Sequence, residues 1–458
     1  MLKLVKNEWL KIFSKASTYV MLALIALFVM GFSGLMFVNS RYEYSYREKV
    51  DAKGEMEYLT VSKPAGYEVD IAMYEFIQNS QKDWYYGEWQ LKALQEVYQE
   101  FQAPLLYQDE SLSGEGKENL NERLQTAQSL ILADDWEGYV DERLDYLGAS
   151  VKEPALLEAK SYYWNYMKDN HIEPGSKDWR EESAQTVGEL KEELANLELQ
   201  KASGERISEE MEMEVRNPLA LEEYRLENGI STYMDENGQT RDSFYNTWSQ
   251  GAMVVVMASV VMIVLAGGCV ANEFSNGTIK FLLINPVKRS KIIISKYITL
   301  IIVSIVLIFG IFVVSGVTDL ILFGFEGWNT PMLLVEDGTV SEGVAFLYVM
   351  KAYFYQGLNL IVMMTMAFMI SSLLRSSAVS IGIGVAALMG GSMLVQILAL
   401  YGCDWGRYVL FANTDLLNIA RGNGMFANQD LISSVVILLI YMVVFLLTAY
   451  DGFTRREV

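Results

Sequence analysis

The chain has 458 residues, a pI near 4.6 and a formal net charge of −21, although 52% of its residues are hydrophobic. Charge and apolar residues are segregated, because the acidic excess lies between 39 and 248 and the remainder is near-neutral with long apolar runs. This pattern excludes one soluble domain and predicts an acidic polar domain inserted into a membrane domain. No nucleic-acid partner is expected.

The apolar runs predict six transmembrane helices, since a helix needs about 20 apolar residues to cross a bilayer. They lie at roughly 17–38, 250–271, 297–323, 344–373, 378–400 and 431–450. The predicted fold is an all-α integral membrane protein with an inserted, mainly helical extracellular domain. Lys and Arg concentrate at the two ends and between spans two and three, which predicts a bacterial plasma-membrane protein with both termini cytoplasmic and 39–248 outside.

Residues 1–16 predict an amphipathic helix that lies in the headgroup plane of the bilayer. At helical spacing, Lys3 and Lys11 fall on a polar arc, whereas Trp9 and Phe13 fall on the apolar one. A helix that is basic on one face and rich in Trp and Leu on the other suits that location. A plain positive flank before an uncleaved first span is the alternative.

The insert 39–248 predicts a bundle of long antiparallel helices, because its segments carry apolar residues at helical period. Prolines at 64, 104, 154, 174 and 218 are expected to punctuate it. Two aromatic clusters, around Trp84 and Trp89 and around Tyr163 and Trp164, are interpreted as core packing. A docking surface for a cationic or amphipathic peptide is the alternative.

The loop 272–296 carries the most informative pattern in the chain. It is basic, it contains a short apolar stretch, and Pro286 ends that stretch because proline lacks an N–H. The pattern predicts a short helix across the inner membrane face. Its candidate contact residues are Glu273, Asn276, Gly277, Thr278, Phe281, Leu282, Leu283, Pro286 and Arg289.

With the six-span topology, this loop resembles the first cytoplasmic loop of ABC-2 type transporter permeases. The resemblance implies a coupling helix that docks on a separate ATPase, and the helix 1–16 is similar to the family's elbow helix. It also implies two ATPase subunits, with ATP and Mg bound there, and a second permease copy or a paralogue. An ordinary positive-inside loop is the alternative.

Two further segments of the membrane domain 249–458 carry recognisable patterns. Small residues at four-residue spacing in span five, Ala378, Gly382, Ala386 and Gly390, predict a close helix–helix contact, either with another subunit or within this one. The segment 401–430 resembles the short re-entrant extracellular helices that precede the last span in ABC-2 permeases. No acid or His is expected to be buried in mid-span, which argues against ion-coupled transport.

The chain contains no P-loop sequence, and His171 is its only histidine, so neither ATP hydrolysis nor a metal site is expected in this polypeptide. The reading is therefore a non-enzymatic permease subunit of an ATP-binding cassette exporter. It would move an amphipathic peptide, drug or lipid-like substrate outward, with antimicrobial-peptide resistance as one role. The alternatives are an ABC-2-like scaffold of a secretion system and a peptide-sensing membrane receptor.

Overall fold

The computed structural model describes residues 1–45, 53–54, 68–85, 87–107, 113–176, 178–240, 243–275, 288–374, 376–427 and 429–455. These residues form two compact units. The first contains Met1–Tyr42, Thr232–Met332 and Gly343–Val458, and the second contains Glu43–Ser231 with Leu333–Glu342.

The first unit is the membrane domain. It begins with α1 (Leu2–Phe13), which packs on the third span. The remaining long helices of this unit are α2 (Ala16–Ser45), α11 (Ser243–Gly251), α12 (Val254–Ser275), α13 (Arg289–Phe323), α14 (Ala345–Leu373), α15 (Ser377–Leu400) and α17 (Leu431–Thr454).

Six helical segments of the described chain are long and apolar enough to cross a membrane, which confirms the predicted all-α integral membrane fold. They are Ala16–Asn39, Phe244–Ser275, Arg289–Phe323, Ala345–Leu373, Ser377–Leu400 and Leu431–Thr454. Helix α12 packs against α14 and α15, and α14 packs against α17. The second span begins before the predicted residue 250 because α11 continues almost directly into α12.

Helix α11 belongs to the membrane unit, whereas the predicted insert extended to 248. The reason is packing. Trp248 Nε1 donates to the Phe312 carbonyl at 3.1 Å, and the Trp248 ring packs at a tilt against the Phe312 ring. A Cβ atom at Gly316 would lie 2.6 Å from the Trp248 ring, so only glycine leaves room for this contact.

The second unit is a helical domain with its own hydrophobic core. Its helices are α3 (Glu68–Ser80), α4 (Trp89–Val97), α5 (Ala103–Leu106), α6 (Gly114–Ala133), α7 (Trp136–Ser150), α8 (Pro154–Asp169), α9 (Trp179–Ala202) and α10 (Glu209–Asn228). A π-helical turn, Tyr98–Gln102, joins α4 to α5. Side-chain caps fix several starts, such as Asp178, which accepts from the Arg180 N–H before α9.

The aromatic clusters lie in that core. Trp84, Trp89, Tyr163 and Trp164 are all buried, as the core-packing interpretation predicted. The expectation about prolines is wrong at Pro218, which lies inside α10. Packing of α10 along α9 holds the helix together across the missing N–H.

A two-stranded antiparallel hairpin, β1 (Pro331–Glu336) and β2 (Thr339–Val344), lies between the third and fourth spans and was not predicted. Its outer part, Leu333–Glu342, belongs to the helical unit, where the Gly338 N–H donates to Asn217 Oδ1 at 2.8 Å. The Tyr224 hydroxyl donates to Glu342 Oε1 at 3.1 Å. These contacts add a segment of a later loop to the domain encoded between spans one and two.

Residues 401–430 fold into short helices, as the sequence pattern suggested. They comprise the 3-10 turns Asp404–Tyr408 and Leu410–Asn413 and the helix α16 (Leu416–Ala420). Asn413 is fully buried and donates to the Arg407 and Val409 carbonyls, which fixes the first two turns.

Candidate functional site

The candidate site is an ion-pair network around Lys296, in the second turn of the helix that follows the predicted coupling loop. Lys296 is only 1% exposed, although a lysine is rarely buried without a partner. Its Nζ donates to Glu8 Oε2 at 2.8 Å and to Glu273 Oε1 at 2.7 Å. A third contact reaches the Cys269 carbonyl oxygen at 3.3 Å.

Lys11 completes the network from the solvent side. Its Nζ lies 2.9 Å from Glu8 Oε1 and 3.2 Å from Glu273 Oε1, and its side chain is half-exposed. The four side chains therefore carry two positive and two negative charges. A charge-balanced arrangement in which the charged groups hydrogen-bond one another is the condition under which charges are tolerated away from water.

Three helices contribute to the network, and their order along the chain shows which segments it connects. Glu8 and Lys11 belong to α1, Glu273 lies one turn before the end of α12, and Lys296 lies two turns into α13. The network therefore joins the two helix ends that flank residues 276–288 and fastens both to the N-terminal helix. Thr299 adds a weaker link, because its hydroxyl lies 3.4 Å from the Val5 carbonyl.

The electrostatics at Glu8 favour the ionised carboxylate. Burial alone would raise the pKa of Glu8, but the positive charge and hydrogen bond of Lys296, together with those of Lys11, outweigh it. The pKa of Glu8 therefore lies below its ordinary value, and its carboxylate stays ionised at neutral pH.

The structure brings together Glu273 and Lys11, which the sequence assigned to different features. Among the other predicted residues of α1, Lys3 is exposed, and the Trp9 and Phe13 rings lie 4.4 Å apart and half-buried. Arg289 is the first residue of α13 and is half-buried. Seven predicted contact residues lie outside the described residues: Asn276, Gly277, Thr278, Phe281, Leu282, Leu283 and Pro286.

Sequence reasoning missed the role of Glu8 and the burial of Lys296. One signal was present for each, since Glu8 is the one acid of an otherwise basic helix and Lys296 interrupts an apolar run. Neither signal names a partner 288 residues away in the chain.

The predicted small-residue ladder of α15 is mostly exposed within the described part of the chain. Ala378, Gly382 and Ala386 are exposed and Gly390 is half-buried, and no atom of the described chain lies within 4 Å of a Cβ built at either glycine. Its neighbour Gly384 makes the internal contact, with a Cβ position 2.7 Å from Ile263 Cγ2. Of the two alternatives left open, these exposures favour a contact with another subunit.

Within the described residues no ion pair joins Asp404, Arg407, Asp415 and Arg421. Asp415 caps α16, and Arg421 donates to the Tyr348 hydroxyl. Asp319, four residues before the end of α13 and therefore outside mid-span, is fully buried, and no sequence pattern singled it out.

Comparison with known proteins places the chain in a family. The profile of DUF2705, described as "Protein of unknown function (DUF2705)", matches residues 221–458, which is just over half of the chain. The chain belongs to the DUF2705 family. The match contains spans two to six, with the network residues Glu273 and Lys296, and leaves α3 to α9 outside.

Two relatives come from Bacillus subtilis (strain 168). The "Uncharacterized protein YhcI" is 30% identical over 296 residues, which cover 63% of this chain and 88% of that protein. The "Uncharacterized membrane protein YdbK" is 30% identical over 220 residues, which cover 48% of this chain and 85% of that protein. Both relatives are therefore shorter than this chain. No solved structure matches it.

Proposed function

We propose that this chain is the membrane-spanning permease subunit of an ATP-driven exporter of the ABC-2 type. The observation that carries the proposal is the Lys296 network, which fixes both helix ends that flank residues 276–288 to α1. A loop that receives force from another protein must be anchored at both ends, or the force would bend the loop instead of moving the spans. A buried, charge-balanced network supplies such an anchor.

The proposed mechanism follows from that connectivity. A partner ATPase, which would bind ATP and Mg, presses on the segment around Phe281 and Leu282 from the cytoplasmic side. Because Glu273 and Lys296 lie on the spans at either end of this segment, the push is passed to α12 and α13 together and to α1 through Glu8. Reorientation of the spans would then release an amphipathic substrate outward.

The exposed small-residue face of α15 supports a second membrane subunit. Close helix approach in lipid depends on small residues, because apolar exclusion does not drive association there. A second copy of this chain or a paralogue, each with its own ATPase, would use that face. The mainly helical domain then lies on the outer side, and both termini lie in the cytoplasm.

The direct test replaces Phe281 and Leu282 together by Glu in the full chain. The matched control places Glu at Tyr401 and Trp405, which follow the C-terminal end of α15. They are 82% and 61% exposed. The coupling variant is expected to lose co-purification of the proposed partner ATPase and its stimulated ATP turnover. The control is expected to keep both.

Equal ATPase capture by the coupling variant, the control and the unaltered chain would reject the coupling assignment. Purification of the chain without any nucleotide-hydrolysing partner would reject the exporter itself, and would favour a scaffold or a receptor.

A further inference from the structure

A second buried polar cluster lies at the end of the membrane domain opposite the Lys296 network. Asp319 belongs to the last turns of α13, four residues before the helix ends at Phe323, and its side chain is fully buried. An ionisable residue inside a span is expensive and marks a functional site by default. Asp319 therefore needs an explanation that the proposed coupling role does not supply.

Hydroxyl groups from three spans surround the Asp319 carboxyl. Ser315, one turn earlier in α13, donates to Asp319 Oδ2 at 3.2 Å. The Ser33 hydroxyl of α2 lies beside the carboxyl, close enough to interact with it. The Tyr353 hydroxyl of α14 lies beside Ser315, on the same side as Gly251.

Gly251 leaves the space that these hydroxyls occupy. A Cβ atom at this position would lie 2.4 Å from Ser315 Oγ and 2.7 Å from Tyr353 Oη. Any larger residue would displace both oxygen atoms, so glycine at the end of α11 allows the cluster to converge.

The cluster has too few partners of its own. Asp319 Oδ1, Ser33 Oγ and Tyr353 Oη are buried without a well-formed hydrogen bond among the described residues, although Ser33 lies close enough to interact with the carboxyl and Tyr353 with Ser315. Within the same part of the chain, no basic side chain forms an ion pair with Asp319, and the groups that act on its carboxyl are Ser33, Ser315 and Tyr353. A lone buried carboxylate costs several kcal/mol unless a positive charge neutralises it.

We propose that Asp319, Ser33, Ser315 and Tyr353 form a membrane-embedded site for one monovalent cation, either Na⁺ or a proton. Every atom that could bind the cation is an oxygen, which is the ligand type that hard cations prefer. The site contains one carboxylate, so a single positive charge balances it and a divalent ion would leave an excess. The hydroxyl oxygens of Ser33, Ser315 and Tyr353 supply the remaining contacts to Na⁺, and the Ser33 and Ser315 hydroxyls lie beside the carboxyl if it is protonated.

The position of the site suggests what it does. Asp319 and Lys296 are separated along α13 by about 35 Å at a rise of about 1.5 Å per residue. The site therefore joins α2, α13 and α14 at the end of the spans away from the Lys296 network. Its occupancy would set how tightly these three helices hold together there, independently of the ATPase.

The test measures the melting temperature of the purified full chain in detergent. The concentration of NaCl is varied against choline chloride at constant ionic strength, between pH 5 and pH 8. Wild type is compared with Asp319→Asn, which keeps the shape and removes the charge. The control is Asp451→Asn, which removes an acid that is half-exposed at the far end of α17.

Occupancy by Na⁺ predicts that the melting temperature of wild type rises by several degrees with NaCl and not with choline. Occupancy by a proton predicts that it falls by several degrees as the pH rises, in either salt. In both cases Asp319→Asn abolishes the dependence, whereas Asp451→Asn retains it. A wild-type melting temperature that responds to neither ion, or a response that survives Asp319→Asn, overturns the proposal.

Ser33→Ala keeps the proposal falsifiable if Asp319→Asn does not fold. Removing one oxygen donor should raise the Na⁺ concentration at half-maximal stabilisation several-fold, or shift the pH midpoint if the ion is a proton. An unchanged midpoint in a folded Ser33→Ala variant would also overturn the site.

Discussion

Lys296 lies inside an apolar helix, and its neighbours decide whether that position is stable. Two carboxylates from other helices meet its ammonium group at 2.8 Å and 2.7 Å, and Lys11 balances the remaining negative charge. Removing one member of such a group leaves the others buried without a counter-charge. Removing the whole group together leaves no buried charge, so the effects are expected to be strongly non-additive.

Substitution Lys296→Met is therefore expected to lower the free energy of unfolding by about 3–5 kcal/mol, the range for breaking a buried ion pair. Lys291→Met is the matched control, because Lys291 is exposed on the same helix and should change stability by less than about 0.5 kcal/mol. The triple variant Lys296→Met, Glu8→Gln, Glu273→Gln should recover most of the loss. Denaturant titration in detergent measures all three, and equal values for Lys296→Met and Lys291→Met would contradict the network.

The network also predicts how stability depends on pH. Because the pKa of Glu8 is lowered from its ordinary value of 4.5, ionised Glu8 contributes stability that is fully present above pH 4.5. That contribution is lost as the pH falls through the lower, folded-state pKa. Melting curves of wild type between pH 7 and pH 3 should show an acid-side decline that is shallower in Glu8→Gln; parallel curves would show that Glu8 does not titrate with folding.

At the residue scale the charges were visible in the sequence, but their partners were not. Glu273 and Lys11 were singled out from local pattern, because a charge beside an apolar run is visible in one dimension. Glu8 and Lys296 acquire their meaning only when α1 lies against α13, a contact that no local spacing encodes. The same limit hid Asp319, whose hydroxyl partners come from three helices.

The individual spans illustrate what an element reveals about itself. Length and hydropathy are properties of a single helix, so all six were predictable. The face that a helix turns toward its neighbours is not such a property. In α15 the ladder at Ala378 and Gly382 is exposed, whereas Gly384 and Gly391 contact Ile263 and Phe411. The hairpin Pro331–Val344 was missed because its strands are short and one of them is mostly exposed.

Substitutions at two glycines of α15, Gly382 and Gly384, allow monomer stability and dimerisation to be tested separately. Gly384→Leu forces a side chain against Ile263 and is expected to lower monomer stability by about 1–3 kcal/mol, as overpacking does. Gly382→Leu meets no atom of the described chain, so monomer stability should stay within about 0.5 kcal/mol of wild type while dimerisation through this face is lost. Light scattering and thermal melts in detergent measure the two effects.

A conservative change elsewhere on the same helix serves as control. Met389→Leu alters a 74% exposed residue without changing its bulk greatly and should leave both quantities unchanged. A dimer that persists in Gly382→Leu would show that the ladder faces lipid.

The two units of the whole molecule are interleaved along the chain. The helical unit takes Glu43–Ser231 from the segment after the first span and Leu333–Glu342 from the segment after the third. Two spans separate those segments, so the chain crosses the bilayer and returns. Both segments must therefore lie on the same side of the membrane. Their membership in one unit agrees with the six-span topology and does not depend on which side that is.

The side itself is a prediction from the Lys and Arg bias, and cysteine labelling in intact cells tests it. In a chain with Cys269→Ala and Cys403→Ala, single cysteines replace the exposed residues Lys152 and Ser341, one from each segment of the helical unit. A membrane-impermeant maleimide should label both without permeabilisation. Cysteine in place of exposed Lys15 should react only after the membrane is opened.

Because Lys152 and Ser341 share one unit, labelling of only one of them would contradict the fold. If both were protected and Lys15 reacted, the fold would stand but the proposed orientation would be inverted. Inversion would place the Lys296 network outside the cell, where no ATPase could reach the segment that it anchors, and the exporter proposal would fail with it.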